Sequence, residues 1–244
     1  MGKGIIVAMQ DPLVLIPGMM ADARLFLPQM VRLGGERAMH VVVPTVGDHV
    51  EQMAEAMLPH LPPQFALMGH GLGGDIALEL IRRIPDRVSR VILLATDPLA
   101  EPPMIAAARE ARIVAAKSGR LGEAMREEIP LSAIVDAPWR DDIMALIRDM
   151  AFGLGEGVFI RQTRALQRRP DQQKTMRRVK LPALVIAGVA DTLVPLRRQE
   201  FNANLMPYGK LQIIADAGHL PSLEQPDAVS DAIESFLRGP VMLR

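Results

Sequence analysis

The chain has 244 residues, room for one sizeable domain with an insertion, and 49% of them are hydrophobic, which excludes an intrinsically disordered polypeptide. Lys plus Arg and Asp plus Glu number 28 each, so the overall charge points to neither nucleic acid nor a membrane surface as partner. There is no cysteine, which removes disulfides, thiolate metal sites and cysteine nucleophiles and suits a reducing cytoplasm.

Residues 1–4 carry one lysine, and the apolar run 5–9 soon meets Asp11-Pro12, so no secretory signal is expected. No stretch approaches the roughly 18 apolar residues of a membrane span, and a soluble, cytoplasmic protein is the expectation. Residues 13–16 read as a buried strand running into Pro17-Gly18-Met19-Met20, and 39–43 as a second. Met53, Met57, Leu58 and Leu61 mark a helix face. A third strand, 65–68, leads into Gly69-His70-Gly71-Leu72-Gly73-Gly74 and a helix. That helix carries Leu72, Ile76, Ala77, Leu80, Ile81 and Ile84 on one face and Asp75, Glu79, Arg82 and Arg83 on the other. Residues 88–94 form a fourth strand, with Asp97 beyond its end.

From about Glu101 to Arg178 the pattern is helical throughout, cut by Gly119, Gly122, Pro130, Pro138, the glycines of 153–157 and Pro170. The basic positions Arg161, Arg164, Arg168, Arg169, Lys174, Arg177 and Arg178 read as a solvated face, with attraction of an anionic substrate as the alternative. Strand patterns return at 181–187, followed by Asp191, and at 211–215, followed by His219. A last helix shows Val229, Ala232, Ile233, Phe236 and Leu237 between Pro226 and Gly239-Pro240. The alternation predicts an α/β protein with a mostly parallel sheet: 1–100 and 179–244 form the core, and 101–178 form a helical cap over the sheet's C-terminal edge.

The glycine loop reads two ways. Gly69, Gly71 and Gly74 spell G-x-G-x-x-G, the loop that cradles a dinucleotide pyrophosphate, with Asp97 at the distance of a ribose-binding carboxylate. Against this, two strands precede the loop and a second ordered βαβαβ half is missing. Alternatively, residues 69–73 are a G-x-S-x-G elbow with glycine in the serine's place. That reading requires an acid after a later strand and a histidine near the C-terminus, and Asp191 and His219 stand in that order.

The segments "LIPGMMADARLFLPQM", "LMGHGLGGDIALELIRRIPDRVSRVILLATDP", "LPALVIAGVADTLVP" and "AGHLPSLEQPDAVSDAIESFL" together resemble the α/β-hydrolase superfamily, close to its small capped esterases, lactonases and C–C hydrolases. The resemblance covers nearly the whole chain outside the cap. Two departures stand out: Pro17-Gly18 replaces the family's usual His-Gly, and Gly71 holds the nucleophile position.

The resemblance implies that His219 is general base and then general acid, that Asp191 orients it, and that the backbone N–H groups of Met19 and Leu72 form an oxyanion hole. Asp97 is the alternative acid, since some members place the carboxylate after the earlier strand. His70 is expected to pack or to support the site rather than to react, and His40, His49 and His60 follow no ligand spacing, so no metal site is expected. No organic cofactor is implied either. The implied substrate is a small molecule with an acyl or carbonyl group: a carboxylic ester, thioester or lactone. A hydrolase that cleaves C–C bonds beside a carbonyl uses the same constellation, so that reading stays open.

Glycine at 71 relieves the strain that an elbow imposes on a residue with a side chain, and it removes the group that forms an acyl-enzyme. Three explanations fit: a serine-to-glycine replacement made to trap substrate or product, a natural non-catalytic ligand-binding protein, or direct activation of water by His219 in the vacated space.

Overall fold

A computed structural model describes residues 10–239; the run 5–9 and Pro240 lie outside the described residues. Six strands form one parallel sheet: β1 Leu13–Ile16, β2 Met39–Val41, β3 Phe65–His70, β4 Val88–Leu94, β5 Ala183–Gly188 and β6 Gly209–Ile214. Their order across the sheet is β2-β1-β3-β4-β5-β6. β1, β3, β4 and β5 are buried along their whole length, which is why each reads as a continuous apolar run rather than an alternation. β2 stops at Val41, two residues before the apolar pattern does, although the Val42 N–H still donates to Leu15 O at 3.0 Å. β3 runs on to His70 because Gly69 and His70 continue in register with Leu93 and Leu94.

The helices are α1 Leu27–Leu33, α2 Val50–Met57, α3 Leu72–Arg83, α4 Pro103–Lys117, α5 Leu121–Glu128, α6 Arg140–Leu154, α7 Glu156–Gln167, α8 Gln173–Met176, α9 Leu196–Leu205, α10 Pro221–Glu224 and α11 Pro226–Arg238. The chain moves one way across the sheet from β1 to β2 and the other way from β2 onward. Right-handed crossovers then put α1 on one face, where it packs on α11, and α2 and α3 together on the other. Between β4 and β5 lie only helices, α4 to α8, among the described residues. Their breaks fall at Gly119, Pro130, Pro138, Gly155 and Pro170, whereas Gly122, Gly153 and Gly157 sit inside helices. Among the described residues no helix is long and apolar enough to cross a membrane.

The register sets the strand ends level. Ile16 pairs with Gly69, His70 with Leu94, Leu94 with Ile186, and Gly188 with Ile214. The loops after β1, β3, β4, β5 and β6 therefore open along the same edge, beside the reversal of strand order between β1 and β3, where open α/β sheets bind ligands.

The tightest of these connections joins β3 to α3 at Gly71, with φ 50° and ψ −118°. The neighbouring glycines are there for contact. A Cβ on Gly69 would lie 2.3 Å from Gly73 O, and one on Gly73 only 2.1 Å from Ile16 O. The backbone of α3 thus touches β3 and β1 directly. Gly74 also meets protein, with an added Cβ falling 1.9 Å from Thr96 Oγ1, so these glycines serve packing and leave no concavity for a pyrophosphate. Gly71 differs from them: its added Cβ meets only Ala95 O, at 3.9 Å.

The face of α3 expected to be polar is also covered. Asp75 and Glu79 are 1% and 2% exposed: the residues that follow α7 pack across Asp75, and the helix's own arginines close over Glu79. Glu79 is held by Arg82 and Arg83 at 2.6 Å each, and the main-chain oxygen of Asp75 accepts from Gln172 Nε2 at 2.7 Å.

These contacts separate the elbow glycines by experiment. Gly73→Ala forces a side chain into main-chain atoms and is expected to cost about 3 kcal/mol or more, a Tm drop of roughly 6–12 °C. Gly71→Ala adds strain without a clash and is expected to cost about 1–2 kcal/mol. Thermal melts of both variants check the order, and equal losses would contradict the packing account.

Candidate active site

Five loop ends converge on one cavity of about 410 Å³. Its floor carries Gly71 and Leu72 from the elbow, Met19 and Met20 from the turn after β1, and His219 from the loop after β6. Leu25, Ile147, Met150 and Leu166 add an apolar wall.

His219 Nδ1 lies 3.0 Å from Asp191 Oδ2. A carboxylate can only accept, so the proton sits on Nδ1 and Nε2 is left as the basic nitrogen. Asp191 is itself fixed, its Oδ1 accepting from Leu193 N at 2.8 Å and from Val194 N at 3.0 Å. Burial raises the proton affinity of this carboxyl, but the His219 ring and the two amides outweigh burial and hold its pKa below the ordinary value. Asp191 therefore stays ionised beside the ring.

Asp97, the other candidate acid, is engaged elsewhere. Its carboxylate faces Arg169 at 3.6 Å and Arg198 at 3.7 Å, and it accepts from Leu99 N at 3.2 Å. Met19 and Leu72 both line the cavity, and neither backbone N–H donates to an acceptor among the described residues. Leu72 opens α3, so the positive end of that helix faces the same space.

The main chain of His219 is as closely held as its ring, by His70, which the sequence marks as a packing or supporting residue, and by Ala133 and Glu224, which sequence reasoning did not single out. His219 N donates to Ala133 O of the helical insert at 2.7 Å. His219 O accepts from His70 Nε2 at 2.8 Å, and the two rings meet edge to face with centroids 5.1 Å apart. Burial, with the His219 charge adding to it, pushes the His70 pKa down to about 4, so His70 stays neutral and acts as a fixed donor. Glu224, on α10, accepts from Gly218 N at 2.8 Å, Leu220 N at 2.8 Å and Val135 N at 2.9 Å. One buried carboxylate thus binds both neighbours of His219 and the insert. The sequence signal was an acid five residues after the histidine, which is too common to interpret alone.

A chain of alternating charges also lines the cavity. Arg169 stands 3.6 Å from Glu101; Arg109 bonds Glu101 and Glu128 at 2.8 Å each; Arg112 bonds Glu128 at 2.5 Å. Of the basic positions in the insert's second half, only Arg169 lines the cavity. Behind this wall Asp75 accepts no hydrogen bond through either carboxyl oxygen, and its nearest cation, Arg169, is 3.9 Å away. Among the described residues no cluster of His, Asp and Glu has the convergence a metal ion needs.

The family model for the alpha/beta hydrolase fold matches residues 43–226. The chain is 29% identical over 242 residues to a pimeloyl-[acyl-carrier protein] methyl ester esterase of Aromatoleum aromaticum, spanning 92% of each chain. It is 27% identical over 193 residues to 3-oxoadipate enol-lactonase 2 of Acinetobacter baylyi, covering 75% of this chain and 67% of that one. Among solved structures, a thermophilic esterase from Thermogutta terrifontis shares the fold with a TM-score of 0.85 at 24% identity, over 94% of this chain and 90% of that one.

Asp75 gives the site a measurable pH signature. Burial, with Asp97 and Glu101 adding to it against Arg169, raises its pKa to about 7. The folded state then holds a proton that the unfolded chain releases near pH 4, so stability falls as pH rises from about 4 to 7, by at most roughly 4 kcal/mol. His70 slopes the other way, losing stability as pH falls from about 6.5 towards 4. Asp75→Asn removes only the first slope, so its Tm advantage over the unaltered chain should grow between pH 5 and pH 8. A constant difference across that range would show that Asp75 ionises normally.

Proposed function

The chain belongs to the α/β hydrolase fold family, and we propose that its cavity is the site of a carboxylic ester hydrolase held at the binding stage by Gly71. The observation that carries this reading is the elbow: Gly71 keeps φ 50° and ψ −118°, a conformation costly for any residue with a side chain, and its Cβ direction is open. The names of the relatives, a methyl ester esterase and an enol-lactonase, support an acyclic or cyclic carboxylic ester as the ligand.

With serine at position 71 the chemistry follows from the geometry. Oγ attacks the ester carbonyl carbon while His219 Nε2 takes its proton, and Asp191 stabilises the imidazolium through Nδ1. The carbonyl oxygen becomes an oxyanion between the N–H groups of Met19 and Leu72. The intermediate collapses as His219 returns the proton to the leaving alkoxide, which departs as the alcohol. Water then attacks the acyl-serine with the same base, and the carboxylic acid is released. Without Oγ the first bond cannot form. What remains is a pocket that binds the ester, an oxyanion hole, and a base with no nucleophile to activate.

In this reading residues 101–178 act as a cap that closes the acyl pocket. Its apolar side, with Leu25, Ile147, Met150 and Leu166, suits an alkyl chain, and the charged residues that also line the cavity suit a polar group at that chain's end. Thioesters and C–C bonds beside a carbonyl are tested alongside esters, since all of them pass through an oxyanion.

Gly71→Ser is expected to raise turnover of p-nitrophenyl butyrate and of short methyl esters by about 10⁴-fold or more over the unaltered chain, within a ceiling of about 10⁶. Adding Asp191→Asn to the serine form should then remove roughly 10⁴ of that gain. The unaltered chain should bind the same methyl esters saturably in calorimetry without consuming them. A folded serine variant inert on every ester, lactone and thioester would sink the proposal.

A further inference from the structure

We infer that Gln162, deep in the helical insert, is a positioning residue for the oxyanion hole, and that the insert is therefore part of the machinery that binds a developing negative charge. It deepens the ester-hydrolase reading by adding a residue that acts through Met19 and Met20 and touches no substrate itself.

The turn after β1 is closed by Ala21 N donating to Gly18 O at 3.2 Å, with Met19 and Met20 at its centre. Met20 has φ 54°, the left-handed value that the third position of a type II turn demands and that glycine adopts far more readily than methionine. Left to itself, such a sequence relaxes towards a type I turn by flipping the peptide between Met19 and Met20. That flip reverses the Met19 C=O and the Met20 N–H, and the turn that carries the Met19 N–H, the donor the oxyanion needs, shifts as it relaxes.

One side chain blocks the flip. Gln162 Oε1 accepts from Met20 N at 2.7 Å, across 142 residues of sequence. Its other end is also committed, with Nε2 donating to Pro44 O at 2.8 Å. The two partners fix the amide's orientation, since an N–H requires the oxygen and a carbonyl requires the NH₂. Gln162 is fully buried, so both bonds are shielded from water and losing either leaves an orphaned backbone group. Arg161, the adjacent residue on α7, donates through Nε to Thr45 O at 2.8 Å and anchors the same helix to the same strand exit. In this way α7 holds in place the turn on which the Met19 N–H is carried.

A residue that only supports packing weakens all ligands alike when replaced. A residue that aims a donor weakens anionic, oxyanion-like ligands selectively. The test therefore compares two probes on the unaltered glycine chain by calorimetry: a methyl alkylphosphonate monoanion, which mimics the tetrahedral oxyanion, and the neutral methyl ester of the same chain length. Gln162→Met, similar in volume but without hydrogen bonds, is expected to weaken the phosphonate about 10-fold or more while changing the ester by less than about twofold. Adding Met20→Gly, which is at ease at positive φ, is expected to recover at least half of that loss on a logarithmic scale.

In the Gly71→Ser background the same Gln162→Met change should lower kcat about 10-fold or more with KM nearly constant. Should Gln162→Met fail to fold, hydrogen exchange on the unaltered chain replaces it. The Met20 amide should then be protected although it lies in a turn, and rapid exchange would overturn the proposal. Equal weakening of both probes, no weakening, or no recovery with Met20→Gly would also overturn it. An inert serine variant with the phosphonate contrast intact would defeat the ester-hydrolase reading and leave the role of Gln162 standing.

Discussion

The backbone of α3 lies directly on the backbones of β3 and β1, and the arrangement of the cavity follows from that contact. Gly69 and Gly73 permit it by having no side chain where main-chain oxygens stand, just over 2 Å from the missing Cβ atoms. With the helix so close, the connection from β3 has no slack and must reverse in one residue at positive φ. The same approach points the free N–H groups at the start of α3 into the space above the sheet. The conformation of the elbow is thus set by packing, through the glycines on either side of position 71.

A second constraint acts from above. The helical insert is often pictured as a cover that decides only which ligands fit. Here it supplies Ala133 O to the main chain of His219, and Val135 N to Glu224, which in turn binds the residues on either side of that histidine. Through Gln162 it also reaches the turn after β1. The imidazole, its carboxylate partner and both candidate donors are held by bonds that start in different parts of the chain, so the site is rigid without being local.

The sheet was legible because central parallel strands are buried on both faces and stand out as apolar runs between Pro, Gly and Asp. The elbow and Asp191 were legible for the same reason, since each sits just past such a run, whereas His219 follows the half-exposed edge strand β6 and was legible by its place in the order. The choice between Asp191 and Asp97 was not, because both follow strands with the same look. What separates them is Arg169 and Arg198 beside Asp97, which come from distant segments. The burial of Asp75 and Glu79 ran against the helical period. A period reports one covered face, and the chain that follows α7 together with the helix's own arginines covers a second. Gln162 left no local trace, because its partner Met20 lies 142 residues away, and Glu224 left only a common one, an acid shortly after His219.

Fastened in this way, the insert resists moving as a rigid body. Were the insert to lift as a rigid lid, the bonds from Ala133 to His219 and from Gln162 to Met20 would break together, and two buried backbone groups would lose their partners at a cost of about 1–3 kcal/mol each. A local movement of side chains at the cavity's rim breaks neither bond. The start of α4 suits such a movement: Ile105 lines the cavity yet is 46% exposed, and its neighbour Met104 is 82% exposed. Opening there displaces loosely held apolar side chains and leaves the histidine, its carboxylate and the turn after β1 in place. The cavity is thus more easily reached past turning side chains than past a moving block of helices.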